Sequence, residues 1–145
     1  MASKATGEAV AQATPLATAR AAAGKGSGSA DPLVGDLRRA GLLPLLVLHF
    51  LRDEPSYGNA LMDRVERATN GLIAVNPNTM YPLLRRLEAD GFVAGEWEHP
   101  ARRSRRFYRV TAEGAVERER LAVELAPRLD AVAAGVAAIR AELEA

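Results

Sequence analysis

Apolar positions in the middle of the chain recur at helical spacing in three blocks. Gly41 to Leu51 is apolar on most sides, which predicts a buried central helix that holds Pro44 in its first turn. A second helix is predicted from Tyr57 to Thr69, with Ser56 as its N-cap and Gly71 as its terminator. The third block differs from these two because its outward face is strongly polar.

The third helix is predicted to begin with Asn76 as N-cap and Pro77 at the first helical position, and to stop at Asp90 and Gly91. Its apolar stripe consists of Met80, Leu83, Leu84 and Leu87. The opposite face carries Asn78, Tyr81, Pro82, Arg85 and Ala89, with Thr79 and Arg86 at its flanks. Pro82 removes one helical hydrogen bond, and we interpret it as shaping the exposed end of the helix.

An arginine-dense β-hairpin is predicted after this helix. Its strands are Phe92 to Trp97, where Trp97 is interpreted as a core or rim aromatic, and Arg105 to Thr111. Five arginines with no acid among them lie in this region: Arg102, Arg103, Arg105, Arg106 and Arg109. Pairing with Glu96 and Glu98 across the strands could neutralise one or two of these charges, but not all five. The rest should stay available for an anionic partner.

The chain ends in a long predicted helix, capped by Thr111, with a coiled-coil-like apolar seam. The seam residues are separated by three or four positions: Leu121, Leu125, Leu129, Val132, Val136, Ile139 and Leu143. The rest of the domain is too small to cover the whole seam, so homodimerisation is the economical prediction. Pro127 lies away from the seam and is expected to kink or split the helix near Ala126.

Composition divides the chain into three parts. Residues 1–30 are rich in Ala, Gly and Ser and are expected to be a disordered tail. Residues 31–111 are expected to form a winged helix DNA-binding domain, and residues 112–145 a C-terminal helical dimerisation arm. The predicted fold class is mainly α with a small β-hairpin (α+β), a winged helix-turn-helix domain followed by a long dimerisation helix.

Several classes of function are disfavoured by the composition. The chain has no cysteine, and its two isolated histidines lack the convergent acids of a metal site, so neither a metal nor a cofactor is expected. His49 is predicted to be a partly buried hydrogen-bonding residue. The sequence contains neither a glycine-rich phosphate loop nor a nucleophile–base arrangement, so it gives no indication of an enzyme. No apolar run reaches the length of a membrane span, and a cytoplasmic location is expected.

A polar helix face beside a cationic β-ribbon is typical of a winged helix that binds double-stranded DNA. Of the 19 basic residues, 17 are Arg, a ratio that a GC-rich genome could also explain, although it would not explain the clustering. The predicted DNA-binding residues are Asn76, Asn78, Thr79, Tyr81, Arg85, Arg86, Arg102, Arg103, Arg105 and Arg106. Arg85 could read a guanine edge, Asn78 an adenine or a phosphate, and Tyr81 a phosphate.

The sequence is consistent with two functions. The first is a sequence-specific transcriptional regulator that acts as a homodimer on an inverted-repeat operator. The alternative is a winged-helix dimer used mainly for protein interaction or drug sensing, with DNA binding secondary. Salt dependence distinguishes them, because DNA binding through several phosphates weakens steeply with salt.

The arrangement resembles the PadR family of bacterial transcriptional regulators between about Leu37 and Thr111. The segments that carry the resemblance are Glu54 to Gly58, Asn78 to Glu88, Gly91 to Val93, Glu96 to Glu98 and Arg105 to Thr111. The resemblance implies a winged helix, an arm that packs against a partner subunit, and a homodimer that represses genes by occupying an operator. In some relatives a small aromatic or drug-like effector releases the DNA. The family's hairpin tip often contains glycines, whereas this tip reads Pro100 to Ser104.

Overall fold

The computed structural model describes residues 32–101 and 104–145. The predictions made for residues 1–30, and those for Arg102 and Arg103, lie outside the described residues. Five helices are present within the described residues: α1 (Pro32–Arg39), α2 (Leu42–Asp53), α3 (Gly58–Ala68), α4 (Pro77–Ala89) and α5 (Ala112–Glu144). The sequence pattern anticipated α2 to α5, whereas α1 was not predicted.

A three-stranded antiparallel sheet lies beside the helices, with strands β1 (Ser56–Tyr57), β2 (Val93–Trp97) and β3 (Arg106–Val110) in the order β1-β3-β2. The two-residue strand β1 was not predicted. Ser56 pairs with Tyr108 in this sheet, so the prediction that Ser56 caps the following helix is wrong. Tyr57 holds the N-cap position instead and offers no side-chain hydrogen bond.

The core lies where α2, α3, α4 and the first part of α5 meet the sheet. Its fully buried side chains come from these elements and their connections: Val47, Leu48, Leu61, Val65, Ile73, Met80, Leu84 and Leu125. Since α5 contributes Leu121 and Leu125 to this cluster, the start of the arm belongs to the same core as the winged helix. Burial of this apolar surface is the main stabilising term for the fold.

Helix α5 runs unbroken from Ala112 to Glu144 through Pro127, so of the two expected effects of this proline, a kink or a split, the split does not occur. Pro127 lies on the exposed side, where water can bond the carbonyl of Val123 that proline leaves without an amide partner. The capping prediction for Thr111 is confirmed, because its hydroxyl accepts from the amide of Gly114 at 3.0 Å. No helix in residues 32–101 or 104–145 is long and apolar enough to cross a membrane.

Candidate nucleic-acid interface

Helix α4 presents its polar face to solvent because its apolar face is anchored in the core. Met80, Leu84 and Leu87 are buried, as the sequence pattern predicted. Asn78, Arg85 and Arg86 are left exposed and form no ion pair with another described residue. A row of unpaired cations and an amide on an exposed helix is suited to contact base edges and phosphates in a major groove.

The start of α4 is fixed by its cap. The side-chain oxygen of Asn76 accepts from the amide of Thr79 at 3.1 Å, and Pro77 occupies the first turn, which confirms this part of the sequence prediction. The Asn76 side chain is therefore used within the helix, and both Asn76 and Thr79 are half-buried. Pro77 has no amide hydrogen and the amides of Thr79 and Met80 bond to Asn76, so the cap uses most of the donors of this first turn.

Tyr81 is half-buried, although the sequence pattern placed it on the exposed face of α4. The reason is Gly58, the first residue of α3, against which the tyrosine ring lies. A Cβ atom built on Gly58 would stand 2.5 Å from a ring carbon of Tyr81, so the absence of a side chain there makes room for the ring. Gly58 thus lets α3 and α4 cross closely.

One face of the hairpin carries Arg105, whose guanidinium is held by Glu98 and Tyr57. Its Nη2 donates to Glu98 at 3.2 Å, and the group lies 3.9 Å from the centre of the Tyr57 ring. The Tyr57 hydroxyl donates to the same carboxylate at 3.1 Å. The hydrogen bond from Arg105 is the main cause that lowers the pKa of Glu98, with Tyr57 adding to it. The cross-strand pairing expected for Glu98 is thus present.

The other face carries Arg106, whose guanidinium turns toward α4. Its Nη2 donates to Glu88 at 2.6 Å, and the same carboxylate oxygen accepts from the amide of Gly95 at 3.3 Å. The sequence pattern missed Glu88 as a partner, since nothing local links a helix residue to a strand 18 positions later. The strand glycine Gly95 was the available signal, because glycine inside a strand often marks a close approach.

Between α4 and the hairpin lies an open cleft of about 550 Å³. It is lined by Tyr81, Arg85, Glu88, Trp97, Ser104, Arg105, Arg106 and Tyr108. Trp97, predicted as a core or rim aromatic of the hairpin, lies half exposed on this rim. The exposed Arg109, which was not predicted to contact DNA, lies on β3 and forms no ion pair within the part of the chain that the structure describes. Arg85 belongs both to the cleft lining and to the exposed face of α4, so the two surfaces meet at this residue.

The predicted dimer seam on α5 divides into two parts. Leu121 and Leu125 are buried in the core of their own chain, and Leu125 has no exposed surface left for a partner. Four of the later seam residues are exposed (Leu129, Val136, Ile139 at 62 % and Leu143 at 80 %), and Val132 is half-buried. Such a stripe of apolar side chains is the kind of surface that a second helix usually covers.

These elements together define a winged helix-turn-helix DNA-binding protein: α3 and α4 form the helix pair, and β2 and β3 form the wing. A sequence profile of the PadR-like family of transcriptional regulators matches residues 47–120, half of the chain. The chain therefore belongs to the PadR-like family, whose members are transcriptional regulators rather than enzymes.

Individual relatives agree with this assignment. The chain is 39% identical over 82 residues to a transcriptional regulator of Mycobacterium tuberculosis, a match that covers 55% of this chain and 74% of that protein. A PadR family regulator from Eggerthella lenta is 39% identical with a TM-score of 0.56, over 71% of this chain and 88% of that chain. The fold is also shared with a transcriptional regulator from Clostridium thermocellum, at 24% identity and a TM-score of 0.60, over 67% of this chain and 91% of that chain.

Proposed function

We propose that this protein is a homodimeric repressor that binds an inverted-repeat operator. Helix α4 enters the major groove, and the hairpin lies along the adjacent backbone. The observation that carries the proposal is the exposed face of α4, where Arg85 and Arg86 have no ion-pair partner among the described residues. Arg85 reads a guanine edge, and Asn78 contacts an adenine or a phosphate.

The hairpin supplies the salt-sensitive part of the binding free energy. Arg102 and Arg103, predicted at its tip, are assigned to phosphate contacts or to the minor groove. Arg105 contributes less, because Glu98 already neutralises its charge. Arg109 adds an exposed cation on the opposite face of β3 from Arg106 and Tyr108. The hydroxyl of Tyr81 is assigned to a phosphate at the edge of α4.

The dimer forms through the uncovered part of the seam on α5. Its exposed residues are Leu129, Val136, Ile139 and Leu143, with the half-buried Val132 between them, since Leu121 and Leu125 are occupied within their own chain. An arm of 33 residues extends about 50 Å, which is long enough to reach beyond its own core to a second subunit. A two-fold dimer of this kind presents two α4 helices to two half-sites.

Release of the DNA by a small aromatic or drug-like effector remains a prediction. Such an effector would occupy a cavity between the two arms and the two α2 helices of a dimer. The alternative function, a winged-helix dimer for protein contact or drug sensing, receives less support, because unpaired cations lie on both α4 and β3.

The test is selection of bound duplexes from a random pool, run with the wild type and two variants of α5. Ile139→Glu places a charge in the seam, whereas Val123→Glu places it on the opposite face of the same helix. The two side chains are equally exposed, 62 % and 66 %, so the variants differ mainly in the face they alter.

We expect the wild type and Val123→Glu to sediment as dimers and to enrich an inverted repeat with half-sites about 10 bp apart, or a multiple of that spacing. Ile139→Glu should sediment as a monomer and enrich at most a single half-site. If Ile139→Glu sediments as a dimer, the proposed interface is contradicted. If the wild type enriches no sequence, the proposed binding to an operator is contradicted.

A further inference from the structure

Glu88 joins the C-terminal part of α4 to both strands of the hairpin through one carboxylate oxygen. That oxygen accepts from Arg106 on β3 at 2.6 Å and from the amide of Gly95 on β2 at 3.3 Å. Both charged side chains are more than two-thirds buried, at 28% and 31% exposed. A short charge-assisted bond that is partly shielded from water is stronger than an ordinary surface ion pair.

The surroundings of Arg106 are shaped to hold it in this position. A Cβ atom on Gly95 would stand 2.8 Å from its Nε, so a side chain at this position would displace the guanidinium from where it lies. The guanidinium also lies 5.2 Å from the centre of the Trp97 ring and 6.0 Å from that of Tyr108. Arg106 is thus enclosed by a carboxylate, a glycine and two aromatic rings.

We propose that Glu88 and Arg106 are a positioning pair that fixes the hairpin relative to α4, and that Arg106 does not itself contact DNA. This inference rests on the proposed DNA-binding function. Simultaneous contact by a helix and a hairpin requires both in one fixed arrangement, and fixing it before binding avoids the entropy cost of ordering the hairpin on the DNA. The charge of Arg106 is already neutralised by Glu88, so it releases no counterion from a phosphate.

The experiment compares Glu88→Ala, Arg106→Met, the double variant and the control Glu96→Ala. Methionine retains an unbranched stem of similar length while removing the charge. Glu96 is a matched control because it is an exposed carboxylate on the same hairpin without an ion-pair partner among the described residues. Two quantities are measured: operator affinity over a range of salt, and acrylamide quenching of Trp97, the single tryptophan of the chain.

We expect Glu88→Ala and Arg106→Met each to weaken operator binding about tenfold, the size expected for a hydrogen bond to a charged group. The double variant should bind the operator about as tightly as the single variant with the lower affinity, because both substitutions break the same interaction. The salt slope of Arg106→Met should equal that of the wild type. Trp97 quenching should change in both single variants and stay unchanged in Glu96→Ala.

The opposite pattern would overturn the proposal. If Arg106 contacts a phosphate, Arg106→Met should lower the salt slope by about 0.9. Glu88→Ala should then bind at least as tightly as Glu96→Ala, since both remove a negative charge near the DNA. A wild type that binds no duplex would refute the proposed function, whereas tight wild-type binding with unaffected Glu88→Ala would refute only the positioning pair.

Discussion

At the scale of single residues, His49 joins the helix at the centre of the core to the arm. Its Nδ1 lies 3.0 Å from Nη2 of Arg118, and because an arginine can only donate, the ring must accept in its neutral form. The sequence-based prediction of a partly buried hydrogen-bonding histidine is therefore confirmed. Desolvation is the main cause that lowers the pKa of His49 from its ordinary value, and the nearby Arg52 and Arg118 lower it further.

This arrangement predicts that acid weakens the fold through His49. The pKa of His49 is lower in the folded state, so the unfolded chain binds the proton more readily. The stabilisation is therefore fully present above pH 6.5, the ordinary pKa, and is lost as the pH falls below that value. The free energy of unfolding in urea should decrease from pH 7 to about pH 5.5.

His49→Gln, which cannot titrate, should reduce this decrease. The matched control is His99→Gln in the exposed hairpin tip, and it should leave the pH dependence as it is in the wild type. An identical pH dependence for His49→Gln and the wild type would show that His49 does not couple to unfolding.

At the scale of elements, the start of α5 is placed against the turn that links α4 to β2. A Cβ atom on Gly114 would stand 1.9 Å from the carbonyl oxygen of Phe92, which also accepts from the amide of Thr111 at 3.0 Å. The nearest neighbour is therefore backbone that is already hydrogen-bonded and cannot easily move. Gly114 allows the long helix to begin close to the wing.

Gly114→Ala should lower the free energy of unfolding by about 1–3 kcal/mol, the usual cost of forcing extra volume into a packed site. Gly135 lies in the same helix with no other atom within 4 Å of a Cβ built there. Gly135→Ala should therefore raise the stability by about 0.5–1 kcal/mol through helix propensity. Urea melts at one protein concentration measure both, and stabilisation by both substitutions would contradict the packing described for Gly114.

The sequence predicted elements best where the signal is local. Asn76 with Pro77 marks the start of α4, and the spacing of Met80, Leu84 and Leu87 marks its buried face. Strand β1 was missed because two residues cannot show a period, and its stability comes from pairing with β3. The Glu88 contact of Arg106 was missed because it joins segments 18 positions apart, and the strand glycine Gly95 indicates a close approach without naming the partner.

At the scale of the whole molecule, the seam on α5 divides into a buried part and an exposed part that its sequence pattern alone could not separate. Leu121 and Leu125 are buried in their own chain, whereas Ile139 and Leu143 are exposed. Apolar residues recur every three or four positions along the whole seam, and the position of the core determines where the intrachain part ends. The proposed dimer thus uses the half of the arm that extends past the winged helix.

The central claim is that the exposed arginines of α4 read a DNA sequence, and Arg85 tests it most directly. The measurement is titration of the selected operator and a scrambled duplex with the wild type, Arg85→Gln and the control Arg140→Gln. Arg140 is an exposed arginine at the far end of the arm, paired with Glu144 at 2.9 Å.

We expect Arg85→Gln to lose about 1–3 kcal/mol on the operator and little on the scrambled duplex, because a lost base contact removes discrimination rather than general affinity. Arg140→Gln should bind both duplexes as the wild type does. If Arg85→Gln binds the operator as tightly as the wild type, α4 does not read the sequence through this residue, and the account of the interface is wrong.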